Sequence, residues 1–496
     1  MKQMDETKDR RSFFERFKHF SEIATIHGLY RVGHSTGWIR RVGWGLLFVS
    51  LLTLVTVLTA SSLMQHFSYP ILTEVNKETT SSMKFPSVTI CHANNYRLGA
   101  FRVLSEGFDS DLSQLITSTI EKSLKNQSIK GLEESDVTFA LDSVYLNSTV
   151  IKMVSSTVDS MKWKFEKWCT FSMIDECKFP QDFTDYYYHS TVGFCKTFNF
   201  HGNYTQIAPG LPFGLSIKLF IDQWDKVPLL RDSVAGILLM IHPQDVYPNP
   251  FAEAVQVPTG YETHISMRKL LFHRQKKPYK ANCTNGDGIF LIYPGRYTVI
   301  NCQYSCFVKN LMEKCGLVES AYQFHSPKEF AESLKRFSAR NMSATEVKKC
   351  ILETVQSLKG PKDECICPAA CFEESFNTRV SYSQWPNPSN IHYYRTMLAN
   401  LTNRENVTTD DVYKSVISLK VYFDELGQQV IRETPVSKWT DLFSKVGGHF
   451  GLWLGASIFS LMEMIGFTIK SIICLFKKKV YPDRENPIKM NVKMRE

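Results

Sequence analysis

The stretch from Gly447 to Met464, GGHFGLWLGASIFSLMEM, sets an acid and four glycines in a run apolar enough to lie in a membrane. Acidic side chains at membrane depth are costly and face a cavity or a partner, so Glu463 points to ion handling. Gly447, Gly451 and Gly455 recur at i, i+4 and i+8, where small residues let helices approach closely. Helix packing alone accounts for Gly447 and Gly451. Gly455-Ala456-Ser457 adds three residues with little side chain, and a helix that breaks there turns backbone carbonyls toward a lumen. On one continuous helix Glu463, eight residues further on, falls within about a quarter turn of Gly455. Asp441 stands at the outer mouth. Small residues, a break, and acids above and below describe a path for cations that rejects anions. One such helix encloses nothing, so the path requires several copies.

Cysteines form the second reactive set. Twelve of the thirteen are Cys91, Cys169, Cys177, Cys195, Cys283, Cys302, Cys306, Cys315, Cys350, Cys365, Cys367 and Cys371; Cys474 stands apart. An even dozen in an oxidising compartment reads as disulfides. A zinc site joining C-I-C-P-A-A-C to C-Q-Y-S-C is the less favoured alternative. Pairing outermost with outermost gives Cys283–Cys371, Cys302–Cys367, Cys306–Cys365 and Cys315–Cys350, the ladder of two antiparallel segments. Spacing alone fixes no connectivity.

The elements that position these residues begin with two apolar runs. A chain of 496 residues exceeds one hydrophobic core. Val42 to about Leu63 carries no charge and is long enough for a bilayer core of roughly 30 Å. Val446 to Phe467 is similar, and neither run shows the polar stripe of an amphipathic core helix. The first starts too late and is too long for a signal peptide. Arg40 and Arg41 precede the first run, and Lys470, Lys477, Lys478 and Lys479 close the second, which places both termini in the cytoplasm. The expected layout is a cytoplasmic 1–41, a span at 42–65, an outer region at 66–440, a pore-bearing span at 441–474 and a cytoplasmic 475–496. The net charge of +9 is then partly a topology signal and an affinity for anionic membrane lipid; no aromatic-interleaved basic domain suggests nucleic acid. Glycosylation sequons at Asn126, Asn147, Asn203, Asn282, Asn341, Asn400 and Asn406 all fall in the outer region.

Within that region MKFPSVTICHANNYR (83–97), GFCKTFNF (193–200), GLSIKLFI (214–221), AGILLMIHP (235–243) and SVISLKVYFDEL (415–426) read as strands. LSQLITSTIEKSLKN (112–126) has helical periodicity, 292–316 turns helical after Tyr297, and the following charged stretch through Lys349 reads mostly as helix. Mixed elements without a repeat make this an α+β membrane protein with a large disulfide-rich ectodomain.

The whole layout resembles the degenerin/epithelial sodium channel superfamily, which includes acid-sensing, bile-acid-sensitive and peptide-gated channels. The resemblance covers Ile26 to Phe467. His27-Gly28 in ATIHGLYRV is similar to the family's His-Gly gating motif in a re-entrant loop below the pore, FPSVTICHANNYR to the strand after the first span, and GFCKTFN to a cysteine-bearing palm strand. The cysteine clusters at 302–315 and 365–371 resemble its thumb. SKVGGHFGLWLGASIFSLMEM (444–464) resembles its second span, with Gly455, Ala456 and Ser457 at the selectivity filter.

The resemblance implies a homo- or heterotrimer whose ectodomain comprises palm, β-ball, finger (about 98–190), knuckle and thumb (about 283–371). It implies a ligand-gated, sodium-preferring channel of the plasma membrane, blocked by amiloride, with no cofactor and no resident metal. It adds the pairs Cys91–Cys195 and Cys169–Cys177. Leu317 stands where acid-sensing relatives carry a cysteine of one more thumb bridge. Pro70 and Ile71 stand where they carry a histidine pair, which argues against fast proton gating and favours an extracellular ligand such as a neuropeptide. The gate is expected at Ser444, Lys445, Gly447 and Gly448. Ser444 matches the degenerin position, where a larger side chain holds the pore open; Lys445 replaces an aspartate and is spaced to pair with Asp441. Gly466 replaces a second acid beyond Glu463, which implies weaker selectivity, and Tyr279 lies near the aromatic that couples thumb to membrane.

Proton, bile-acid or constitutive gating are the alternatives within the family. A non-conducting disulfide-rich receptor is the alternative outside it, and the two-span ATP-gated kind lacks both the triplet and the His-Gly pair. No H-E-x-x-H, G-x-S-x-G or phosphate loop suggests an enzyme. Outer histidines such as His189, His242 and His273 read as surface or core residues.

Overall fold

The computed structural model describes residues 13–93, 168–178, 181–187, 194–221, 234–293, 295–315, 344–358 and 365–480. The helix expected at 112–126, the 316–343 stretch, most of the expected finger and the sequons Asn126, Asn147 and Asn341 lie outside the described residues. The chain divides into two compact units, residues 1–72 with 435–496, and residues 73–434.

The first unit begins with helices α1 (Phe13–Ile23) and α2 (Leu29–His34). His34 Nε2 lies 2.7 Å from Glu22 Oε1, a bond that ties the two helices and holds the exposed Glu22 carboxyl below its usual range. Helix α3 (Trp38–Phe67) starts at Trp38 rather than the expected Val42. Its 30 residues reach about 45 Å. Among the described residues it is the one unbroken helix long and apolar enough to cross a bilayer. Leu46, Val49 and Val57 on it are exposed, as lipid-facing side chains are. Arg31 sits 4.7 Å over the Trp44 ring.

The second unit is built on two large sheets and a short ribbon. Among the described residues its strands are β1 (Ile71–Thr79), β2 (Met83–Lys84), β3 (Ser87–His92), β4 (Cys169–Phe171), β5 (Asp175–Glu176), β6 (Phe183–Tyr187), β7 (Phe194–Phe198), β8 (Thr205–Gln206), β9 (Leu215–Phe220) and β10 (Ile237–His242). After the one-turn α4 (Pro250–Glu253) come β11 (Val255–Val257) and β12 (Tyr261–His273). Helices α5 (Val299–Cys315) and α6 (Ala344–Leu358) precede β13 (Phe372–Gln384). Helices α7 (Ile391–Thr402) and α8 (Thr409–Ser415) precede β14 (Val416–Pro435).

The larger sheet runs β13-β12-β14-β9-β4-β5, with β1 also paired to β14. β12 and β13 pair antiparallel from Tyr261↔Gln384 to His273↔Phe372, whereas β12 and β14 run parallel. The smaller sheet, β11-β10-β3-β7-β6, is antiparallel throughout, and β2 pairs with β8 alone. β9 alternates buried and half-buried residues, and β3 is buried on both faces, as its β-branched run suits. One core cluster draws on both sheets through Phe85, Phe198, Leu219, Ile237, Leu419 and Phe423. Each such side chain contributes about 1.5–3 kcal/mol of burial.

Three features depart from the sequence reading. The strand expected from Met83 is split in two at Phe85-Pro86, since proline cannot donate to a ladder. β14 continues to Pro435, well past the expected end at Leu426. It bulges on the way: Met267 pairs with Phe423 and Lys269 with Gln428, so four residues of β14 stand opposite one of β12. Finally, β12 and β13, at 13 residues each, are not among the strands expected from the sequence. Helix α5, by contrast, begins at Val299, just after Tyr297 as expected.

Among the described residues six disulfides tie the second unit: Cys91–Cys195, Cys169–Cys177, Cys283–Cys371, Cys302–Cys367, Cys306–Cys365 and Cys315–Cys350. The thiols of the C-I-C-P-A-A-C stretch are therefore bonded to sulfur and not to zinc. Cys302 and Cys306 lie one turn apart on α5 and hold a segment running the opposite way. Beside the outermost bond Thr284 bridges Ala370 in the parallel sense, so the ladder is not antiparallel at that end.

The first unit resumes with α9 (Trp439–Leu454) and α10 (Ile458–Val480). The two are apolar enough to count together as one span, and they meet at an angle of 81°.

Candidate functional site

The break between α9 and α10 is made by Gly455, Ala456 and Ser457 themselves. Gly455 adopts left-handed backbone (φ 58°, ψ 24°), which glycine enters without the Cβ clash other residues meet. Its N–H donates to Gly451 C=O at 3.0 Å, and the Ala456 N–H donates to Phe450 C=O at 3.2 Å. These bonds close the C-terminus of α9 in the manner of a glycine cap. Across the break, the Ser457 N–H donates to Ser460 Oγ at 3.0 Å, and the Ser460 N–H donates to Ser457 Oγ at 3.3 Å. That exchange has the reciprocal form of a capping box, with Ser460 in place of the usual glutamate, so α10 starts with its own N-terminus. The helix therefore ends and restarts rather than bending elastically.

The loop between α1 and α2 fits into this corner. The His27 N–H donates to Leu454 C=O at 3.0 Å, taking one of the carbonyls that a helix end leaves without a partner. A Cβ on Gly455 would lie 1.7 Å from His27 Nδ1, so the imidazole occupies the space a side chain would need. Gly28 carries φ 86° and turns the chain into α2. Ile26 and Leu29 are buried with Val55 of α3 and Leu454, and Phe48, Phe450 and Ala456 pack around them. Phe20 stacks on Phe467 with ring centroids 4.4 Å apart.

Glu463 is placed differently from its expected position. The turn at 455–457 cancels the single-helix projection, so Glu463 does not share a helix face with Gly455. Its Oε2 accepts from the Thr25 N–H at 3.4 Å, and Thr25 Oγ1 bonds to the buried Ser460 Oγ. Thr25 and Ser460 are thus part of the site, although neither stands out in the sequence. The one legible signal is Ser457-x-x-Ser460, close to a helix-start pattern.

At the other end of α9, Asp441 Oδ2 accepts from the Lys438 N–H at 2.9 Å and caps the helix start. The carboxylate is turned back toward Lys438, so the i, i+4 pairing expected with Lys445 is not made among the described residues. Ser444 Oγ donates to Thr440 C=O at 2.8 Å and is exposed, as are Lys445, Gly447 and Gly448. Gly447, Gly448 and Gly451 have open space where a Cβ would stand. Pro70 C=O accepts from the Val436 N–H at 3.1 Å. Four residues before Pro70, the buried His66 lies against Trp439 at 4.6 Å, with Nδ1 3.2 Å from Ser437 Oγ.

In the second unit, Asn203, Asn282, Asn400 and Asn406 are all exposed. Tyr279 lies in a tight turn, where the Tyr279 N–H donates to Lys276 C=O and the Asn282 N–H donates to Tyr279 C=O. His242 is buried on β10. Its Nδ1 donates to Pro243 C=O at 2.8 Å, so its Nε2 accepts from Thr89 Oγ1 at 2.8 Å, and Thr89 in turn accepts from Thr197. Burial pushes the imidazole down to about 4 and keeps it neutral.

A profile of the amiloride-sensitive sodium channel family matches residues 20–467. The epithelial sodium channel subunit alpha of Mus musculus is 26% identical over 92% of this chain and 74% of its own length. The same subunit of Homo sapiens is 23% identical over 94% of this chain and 79% of its own. The degenerin-like protein unc-105 of Caenorhabditis elegans is 25% identical over 75% of this chain and 44% of its own.

Proposed function

The chain belongs to the amiloride-sensitive sodium channel family, and from that premise we propose that it forms a sodium-preferring cation channel of the plasma membrane, opened by an extracellular ligand such as a neuropeptide and blocked by amiloride. The observation that carries the reading is the break at Gly455-Ala456-Ser457 inside an apolar helix pair, with Glu463 beyond it. Backbone outside a helix is stable at membrane depth only where protein or water covers it, and copies of the triplet around an axis supply a ring of bare carbonyls. Three subunits, identical or related, enclose the path. The open space beside Gly447, Gly448 and Gly451 suits close approach of another α9.

In this reading residues 66–440 lie outside the cell as palm, β-ball, finger, knuckle and thumb, and both termini lie inside. The loop at His27-Gly28 supports the filter from the inner side by filling the corner that Gly455 leaves open. Glu463 contributes a ring of negative charge at the inner mouth, and Asp441 another at the outer mouth while capping α9. Ser444 and Lys445 stand at the outer gate.

The test is current from the full-length protein in oocytes under a panel of extracellular peptides, with amiloride as blocker. Ser444→Trp should produce a sustained current without ligand, and Ser457→Ala should shift the reversal potential between sodium and potassium. Surface-delivered Ser444→Trp trimers that pass no current would overturn the channel reading.

A further inference from the structure

Beside the β4–β5 hairpin of the second unit is a cavity of about 620 Å³. That is within the roughly 300–1,000 Å³ range of sites that seat small ligands. Phe171, Tyr204 and Phe213 line it with apolar surface, Met173 and Ile207 stand exposed among its lining residues, and Asp175 offers a carboxylate. The walls are fixed. Cys169–Cys177 closes the hairpin, the Ser172 N–H donates to Gly214 C=O at 3.1 Å, and Tyr204 OH donates to Asp182 Oδ2 at 2.7 Å.

One wall of this cavity is the sequon Asn203-Tyr204-Thr205, with Asn203 exposed. We propose that Asn203 carries an N-linked glycan and that its first N-acetylglucosamine folds back into this cavity. The inference rests on the reading that places residues 66–440 outside the cell. In the attachment step Asn203 Nδ2 bonds to C1 of the first sugar of a polyisoprenyl diphosphate-linked oligosaccharide. The bond from C1 to the diphosphate oxygen breaks, the lipid diphosphate leaves with its electron pair, and Nδ2 gives up one proton.

The chemistry of the cavity matches a hexosamine. Such a ring has an apolar C–H face and polar edges, and the cavity has aromatic surface with a carboxylate and Thr205 beside it. The tether commits the occupant, because a sugar on Asn203 begins in the wall of the cavity. Apolar side chains as exposed as Met173 and Ile207, at 65% and 64%, are then covered in the finished glycoprotein.

Met173 is the single methionine of the tryptic peptide spanning 168–178, and its oxidation reports its cover. Full-length protein with high-mannose glycans is trimmed to one N-acetylglucosamine per site and treated with dilute hydrogen peroxide. The same is done with Asn203→Gln, and with wild-type protein from which an amidase has removed the whole glycan after folding. Met173 oxidation at least threefold slower in the trimmed glycoprotein than in either bare form is expected, and Thr205→Ser, which keeps the sequon, should behave as wild type. Equal oxidation rates overturn the proposal. So does a bare Asn203 in protein whose Asn282 and Asn400 carry glycans. A chain bare at every sequon overturns both this proposal and the outer placement of residues 66–440.

Discussion

The two units of the chain are stabilised by opposite means. Residues 73–434 hold a core of fully buried side chains such as Phe85, Ile217 and Phe423, two large sheets and six disulfides. In residues 1–72 with 435–496, the buried cluster at the corner numbers four among the described residues, and the longest helices leave leucine, isoleucine and phenylalanine exposed. What fixes the corner there is a short set of polar contacts: His27 to Leu454, Thr25 to Glu463 and Ser460, and Ser457 to Ser460. Each unit is therefore fragile in a different place. The sheet unit should tolerate local change and fail by unfolding, whereas the helical unit should lose function through one misplaced atom.

The largest effect should follow Gly455→Ala. The new Cβ meets His27 Nδ1 at 1.7 Å, and the left-handed backbone costs a further 1–2 kcal/mol, roughly. Current per surface-delivered channel should fall at least tenfold, and Gly455→Ala combined with His27→Ala should recover part of it. Gly448→Ala, with open space around it in the single chain, is the control that should cost less. Equal losses at both positions would show that the helical unit is not specially sensitive at the corner.

Removing one rung of the sheet unit comes next. Cys302→Ala with Cys367→Ala opens a closed loop of 65 residues, and stability should drop by about 2–4 kcal/mol. A lowered melting temperature with preserved single-channel conductance would sharpen the division between the units; altered conductance would break it.

The smallest effect is a pH slope. His242 is neutral in the folded protein with its pKa lowered to about 4 by burial, against 6.5 when exposed. The unfolded chain therefore binds the extra proton first, so this contribution is complete above pH 6.5 and is lost as pH falls toward 4. By about pH 5 the loss should reach roughly 2 kcal/mol. His242→Gln should flatten the fall in melting temperature between about pH 7 and 5, and an unchanged slope would show that another group carries it.

Legibility in the sequence follows the same division. β3, β9 and β10 are readable because their apolar residues are consecutive or strictly alternating. β12 and β13 are not: ETHISMRKL and EESFNTRVS interleave charges that the structure absorbs in ion pairs such as Lys269 with Glu374 and Arg268 with Asp424. Periodicity detects a strand by the face it buries, and β13 buries no residue fully. In the helical unit the composition of Gly455-Ala456-Ser457 suggests a break, and the break is there. The position of Glu463 is not legible, since projecting it along one helix assumes the continuity that the triplet interrupts. Thr25 is invisible for a plainer reason: its partners lie 435 and 438 residues away.

The order in which the chain is made gives the sheet a late keystone. Cys371, the last cysteine of the six bonds, leaves the ribosome before β14, yet β14 lies in the interior of the larger sheet between β12 and β9. A nascent chain can therefore be fully cross-linked while its principal sheet still has a gap. Any transcript that stops before residue 416 yields a protein with three raw strand borders, on β12, β9 and β1, open to pairing with whatever neighbour is nearest. A cell that judged such a product by cysteine oxidation alone would pass it as complete.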